Sequence, residues 1–159
     1  QKAGLVSLDP ELVTIDTDKF IQLSSKASDM EKTGRSETAL DLWGKAEQLY
    51  RGEYFAEEPY QEWLHRKRDL YRSKYIDILT SKAILHEELD QIDQAIESWK
   101  KILMEEPFIE SAYQNLMVLY ADSGRKDLAV DIFISARKVV FLTSPSLRAT
   151  SPTKRGREA

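Results

Sequence analysis

Apolar residues recur every three or four positions through most of this chain, and the interruptions mark where one helix gives way to the next. Phe20, Leu23, Ala27 and Met30 predict a helix that Thr17 or Asp18 can cap and that stops at Gly34. Ala39, Leu40, Leu42, Trp43, Ala46 and Leu49 predict a second helix from about Ser36, with Ser36 as its candidate cap. Gly52 and Pro59 break the pattern, so Arg51 to Pro59 reads as an ordered loop carrying Tyr54 and Phe55. Trp63, Lys67, Leu70, Tyr71, Tyr75, Ile78, Leu79, Lys82, Ala83, Leu85 and Leu89 then predict one long central helix, about Gln61 to Glu88. A turn over Asp90 to Asp93 leads into a helix with Ala95, Ile96, Trp99, Ile102 and Leu103, closed before Pro107. Two more helices follow, at about Ile109 to Ser123 and Lys126 to Phe141. The opening, Leu5 to Asp16, holds two short apolar runs around an Asp-Pro-Glu turn signal and suggests a small β-like hairpin.

Comparing the chain with itself exposes a repeat. The segments Glu37 to Trp43, Asp93 to Trp99 and Asp127 to Phe133 share a small residue followed four positions later by an aromatic one. Ala39, Ala95 and Ala129 are the equivalent small positions. Ala95 and Ala129 are 34 residues apart, the tetratricopeptide period, and Ala39 and Ala95 are 56 apart, one period plus 22. A small residue lets the second helix of a hairpin approach the first, and the aromatic one turn later wedges against the next hairpin. In this register Tyr113, Leu116, Tyr120, Gly124, Phe133 and Ala136 take the apolar, turn and small places, and Pro107 closes the preceding repeat. The expected fold is all-α: a tetratricopeptide-like array of helical hairpins with one long central helix and a short N-terminal β-like segment.

Three irregular repeats with a long helix after the first resemble the bacterial transcriptional activator domain of prokaryotic regulators. The resemblance is carried by Ala39 to Trp43, Tyr50 to Phe55, Pro59 to Trp63 with Arg66 and Arg68, Glu106-Pro107, and Leu116 to Arg125. Leu8 to Val13 and Ile15 to Phe20 look like the family's junction, where a winged-helix DNA-binding module ends and the helical domain begins. The resemblance implies a regulatory module for dimerisation, partner contact or signal relay. Its partners would be proteins, either a second copy or other domains of the same regulator, and DNA would be reached only through the upstream module. It divides the chain into a junction at 1–16, a helical domain at 17–142 and a tail at 143–159, whose Ser, Pro, Thr, Arg and Lys content predicts a flexible segment. Because the chain opens at Gln1, we expect it to be part of a longer polypeptide. A helical-repeat adaptor unconnected with transcription is the alternative.

Composition narrows the chemistry. Of 159 residues 42% are apolar, enough for a core, and 27 acids against 23 bases give a net charge of −4, so nothing draws the whole chain to nucleic acid or an anionic membrane. There are no cysteines, which removes disulfides, thiolate zinc sites and thiol nucleophiles. No apolar run approaches the roughly 20 residues that span a bilayer, and no signal peptide opens the chain, so a cytoplasmic location is expected. His65 and His86 lie on one predicted helix about 30 Å apart, too far to share a metal or a proton. Glu53, Glu57, Glu58 and Asp69 lack calcium-loop spacing. The six glycines are scattered singly, so no phosphate loop or nucleophile elbow is written. No enzyme activity and no cofactor are expected. His65 to Arg68 with Arg72 and Lys74 spreads over several helix faces and reads as ion-paired surface. Trp43, Trp99, Tyr113, Tyr120 and Phe133 read as core wedges and not as base-stacking platforms.

The repeat register also nominates a groove. Its lining would be the exposed positions of each first helix: Ile21, Ser24 and Ser28, then Asp77, Thr80, Ile84 and Glu87, then Ser111, Gln114 and Val118. That mixture of polar and apolar side chains suits a peptide or a helix more than a phosphate.

Overall fold

The computed structural model describes residues 16–52 and 62–143, and within them the chain forms six α-helices and no strand. They are α1 (Asp16–Lys32), α2 (Ser36–Leu49), α3 (Glu62–Glu88), α4 (Ile92–Glu105), α5 (Glu110–Asp122) and α6 (Lys126–Thr143). Each predicted helix is present, within about two residues at every described end. The N-terminal β-like hairpin, the loop with Tyr54 and Phe55, and the tail lie outside the described residues.

The turns that precede α2, α4 and α6 share one backbone feature. Five residues before each small residue stand Gly34, Asp90 and Gly124, and all three have positive φ, at 74°, 56° and 78°. At Gly34 the amide of Arg35 donates to the carbonyl of Met30 (2.9 Å) and that of Gly34 to Glu31 (2.9 Å). The same pair recurs at Gly124, from Arg125 to Tyr120 (2.8 Å) and from Gly124 to Ala121 (3.0 Å). This pairing satisfies the orphan carbonyls of a helix end and reverses the chain through a left-handed residue. The first bond of each second helix then runs from Ala39 to Arg35, from Ala95 to Gln91 and from Ala129 to Arg125.

Two expected caps are therefore corrected. Arg35, whose side chain makes no capping hydrogen bond, occupies the cap of α2, and Ser36 is already helical. The left-handed turn at Gly34 sets where α2 begins, whichever residue follows. Thr17 and Asp18 likewise lie inside α1, where Asp16 and Asp18 place negative charge on the positive end of the helix dipole.

The chain divides into two units, one through Leu89 and one from Asp90. In the first, α2 packs against α1 and α3. Ala27, Ala39 and Ala46 are fully buried, so these helices meet across small residues, and Phe20, Trp43, Ile78 and Leu85 fill the space around them. Tyr50 stacks on Tyr75 with ring centroids 4.0 Å apart, and Phe20 meets Tyr71 edge-on at 6.3 Å. Lys82 of α3 and Glu47 of α2 form an ion pair with both side chains largely covered. In the second unit α5 packs against both α4 and α6. Ala95, Ile96, Trp99 and Ile102 on α4 and Ala112, Tyr113, Leu116, Leu119 and Tyr120 on α5 are buried.

Candidate protein-interaction surface

The long helix α3 is where the sequence pattern is least regular, and burial departs from it most. Leu70, expected on the apolar stripe, is exposed, whereas Leu64 and Arg68 are buried. Leu64 and Arg68 are four residues apart and so share a face. That spacing is the one signal by which the sequence could have separated Arg68 from its basic neighbours. His65, Arg66, Lys67 and Arg72 are exposed and Lys74 is half-buried, the solvated surface expected of them. His86 is half-buried further along the helix, and among the described residues no group of acids and histidines can hold a metal ion.

The nominated groove positions form three stripes, two of which are open. On α3, Asp77 and Ile84 are exposed and Thr80 and Glu87 half-buried; their three- and four-residue spacing keeps them on one face. The Thr80 hydroxyl donates to the carbonyl of Ile76 at 2.8 Å, so a partner there would meet its methyl group and the flanking carboxylates. On α5, Ser111, Gln114 and Val118 are all exposed. The third nominated stripe, on α1, holds less well. Ile21 and Ser28 are half-buried, but Ser24 is buried and its hydroxyl donates to Phe20 at 2.7 Å. Ser24 is thus a packed residue and not part of an open lining, because Phe20 and Ala27, about one turn to either side of it on the same face, are in the core.

The α5 stripe rests on a braced support. The Tyr113 hydroxyl donates to the carbonyl of Pro107 at 3.1 Å, tying the repeat-closing proline to the helix that follows it. Burial raises the pKa of that hydroxyl above its ordinary value. At the far end of α5, the Lys100 ammonium and the Arg125 guanidinium both lie over the Tyr120 ring, at 5.6 and 5.9 Å, and Arg125 pairs with Asp93 at 2.6 Å.

Of the five aromatic residues singled out by the repeat, four are buried, namely Trp43, Trp99, Tyr113 and Tyr120. Phe133 is not: it is 49% exposed. The reason lies in the repeat itself. Trp43 is covered by a cluster that includes Ile78 and Leu85 of the next helix, α3, whereas among the described residues α6 packs chiefly against α5. Val130 and Ile134, on the same side of α6, are exposed with it.

The family model for the bacterial transcriptional activator domain matches residues 15–141. A search of the curated proteins found no match.

Proposed function

The chain belongs to the bacterial transcriptional activator domain family, a helical, tetratricopeptide-like family of regulatory and not enzymatic domains, and from that premise we propose that it is the protein-interaction module through which a transcriptional activator dimerises or receives a partner's signal. The match over residues 15–141 carries the reading, since it spans all six helices but for the last two residues of α6. On this reading residues 1–16 form the end of an upstream DNA-binding module, 17–142 the helical domain and 143–159 a linker or tail. The α3 stripe of Asp77, Thr80, Ile84 and Glu87 and the α5 stripe of Ser111, Gln114 and Val118 are the surfaces we assign to protein partners. Each combines one aliphatic side chain with polar or acidic neighbours, the pattern of a contact that is specific without being a permanent core. No described helix is long and apolar enough to cross a membrane.

The test uses the full polypeptide that carries this domain, with a promoter reporter and a DNA-binding assay run side by side. Ile84→Asp and Val118→Asp, both at exposed positions, should lower activation while leaving DNA affinity unchanged. Unchanged activation in both variants would remove these stripes from the interaction surface. A parent polypeptide that ignores DNA altogether would replace the transcriptional reading with that of a general helical adaptor.

A further inference from the structure

The outer face of α6 is an apolar strip that no described helix covers. Val130, Phe133 and Ile134 are 56%, 49% and 44% exposed, and their spacing places them side by side on the helix. The face of α6 that packs inward is a different one, made by the half-buried Ala129, Ile132, Ala136 and Val139. The repeat register says what the outer strip is for. Val130 and Phe133 are the equivalents of Leu40 and Trp43 on α2 and of Ile96 and Trp99 on α4. On those two helices the aromatic is buried, and a following helix packs on each, α3 on α2 and α5 on α4. The strip is therefore a helix-accepting surface used twice within the chain and left open a third time.

Resting on the reading of this chain as an interaction module, we propose that α6 pairs antiparallel with α6 of a second copy, making an isologous dimer across Val130, Phe133 and Ile134. Two features select this occupant. Residues 144–159 are a poor occupant, because they hold only Leu147 and two alanines among Ser, Pro, Thr, Gly156, Glu158 and basic residues. The charges that flank the strip are also self-complementary. Asp127 and Asp131, with Lys126, lie on the first half of α6 and Arg137 and Lys138 on the second, all exposed, so the two halves carry net charges of −1 (1 − 2) and +2. Antiparallel pairing about Phe133 and Ile134 sets the acidic half of each helix against the basic half of the other, whereas parallel pairing would set like against like. Arg137 already leans over the Phe133 ring at 5.9 Å, so its charge borders the apolar strip it would frame. A head-to-tail arrangement finds no counterpart on α1, whose exposed residues are all polar or charged.

Sedimentation velocity of the whole 159-residue chain, from micromolar to sub-millimolar loading, reads the pairing. The unaltered chain should pass from monomer to dimer. Phe133→Glu should weaken the dimer on the order of a hundredfold, and Met104→Glu, at an exposed apolar residue elsewhere, should leave it intact. Asp131→Lys should weaken it about tenfold, and adding Arg137→Asp should restore it. The charge pair guards against misfolding of the Phe133 variant, since both side chains are exposed and circular dichroism should show unchanged helix content. A chain that stays monomeric throughout, a Phe133 variant that dimerises like the parent, or a double charge variant no better than Asp131→Lys would each overturn the pairing. None of these outcomes touches the broader reading, which the reporter assay with Ile84 and Val118 decides separately.

Discussion

Trp43 and Phe133 stand at the same place in the repeat, and replacing each with Ala tests whether that place is energetic only when a following helix covers it. Trp43 is 5% exposed in a cluster with Phe20, Ala27, Ala39, Ala46, Ile78 and Leu85, and its indole N–H donates to Glu31 at 3.2 Å. An aromatic side chain of this kind buries roughly 150–250 Å², worth about 4–6 kcal/mol at about 25 cal/mol per Å² as an upper bound. Truncations of buried Trp and Phe to Ala cost about 3–5 kcal/mol, because the cavity collapses only in part. The hydrogen bond to Glu31 adds about 1 kcal/mol or less at a partly exposed site. Trp43→Ala should therefore lose about 3–5 kcal/mol in urea denaturation followed by far-ultraviolet circular dichroism, and Trp43→Phe should recover most of it. Phe133→Ala, at a side chain already half in water, should lose under about 1 kcal/mol at concentrations where the chain is monomeric. A loss below about 1 kcal/mol for Trp43→Ala would refute its role as the wedge of the first hairpin. Equal losses at Trp43 and Phe133 would refute the argument from the missing cover.

The turn residues give the next prediction. A Cβ added at Gly124 meets nothing within 4 Å, so Gly124→Ala carries only the backbone penalty of φ +78° and should cost about 1 kcal/mol in the same assay, while Asp90→Gly should be neutral or slightly stabilising. Lys82→Ala removes the ammonium that faces Glu47 between α3 and α2 and should lower stability by about 1–3 kcal/mol; Lys82→Met with Glu47→Leu should recover most of that loss, measured by denaturation midpoints. Burial raises the Tyr113 pKa in the folded state, so its contribution is complete below the unfolded value of 10.0 and is lost as pH rises through the higher folded value. Stability measured against pH should fall more steeply above about pH 10 in the parent chain than in Tyr113→Phe, which should itself be about 1 kcal/mol less stable at neutral pH for want of the bond to Pro107.

The sequence by itself determined the helices, the repeat and the family, because each rests on local spacing. Three- and four-residue periodicity locates α1 to α6, glycine marks two of the three reversals, and the small-to-aromatic motif sets the register in which Ala39, Ala95 and Ala129 coincide. The third turn was legible as a break over Asp90 to Asp93, but not that Asp90 takes the left-handed conformation, which Asp tolerates without announcing; its place five residues before Ala95 was the available clue. The tertiary structure alone decided which apolar positions lose contact with water. Phe133 and Trp43 read alike in the motif, yet one has a helix packed over it and the other does not. Leu70 and Arg68 exchange their expected places for a related reason: on a helix as long as α3, burial depends on which neighbour reaches each turn, and periodicity carries no record of neighbours. Ser24 left the nominated groove in the same way, since its position on α1 is the same whether or not Phe20 and Ala27 draw that turn into the core.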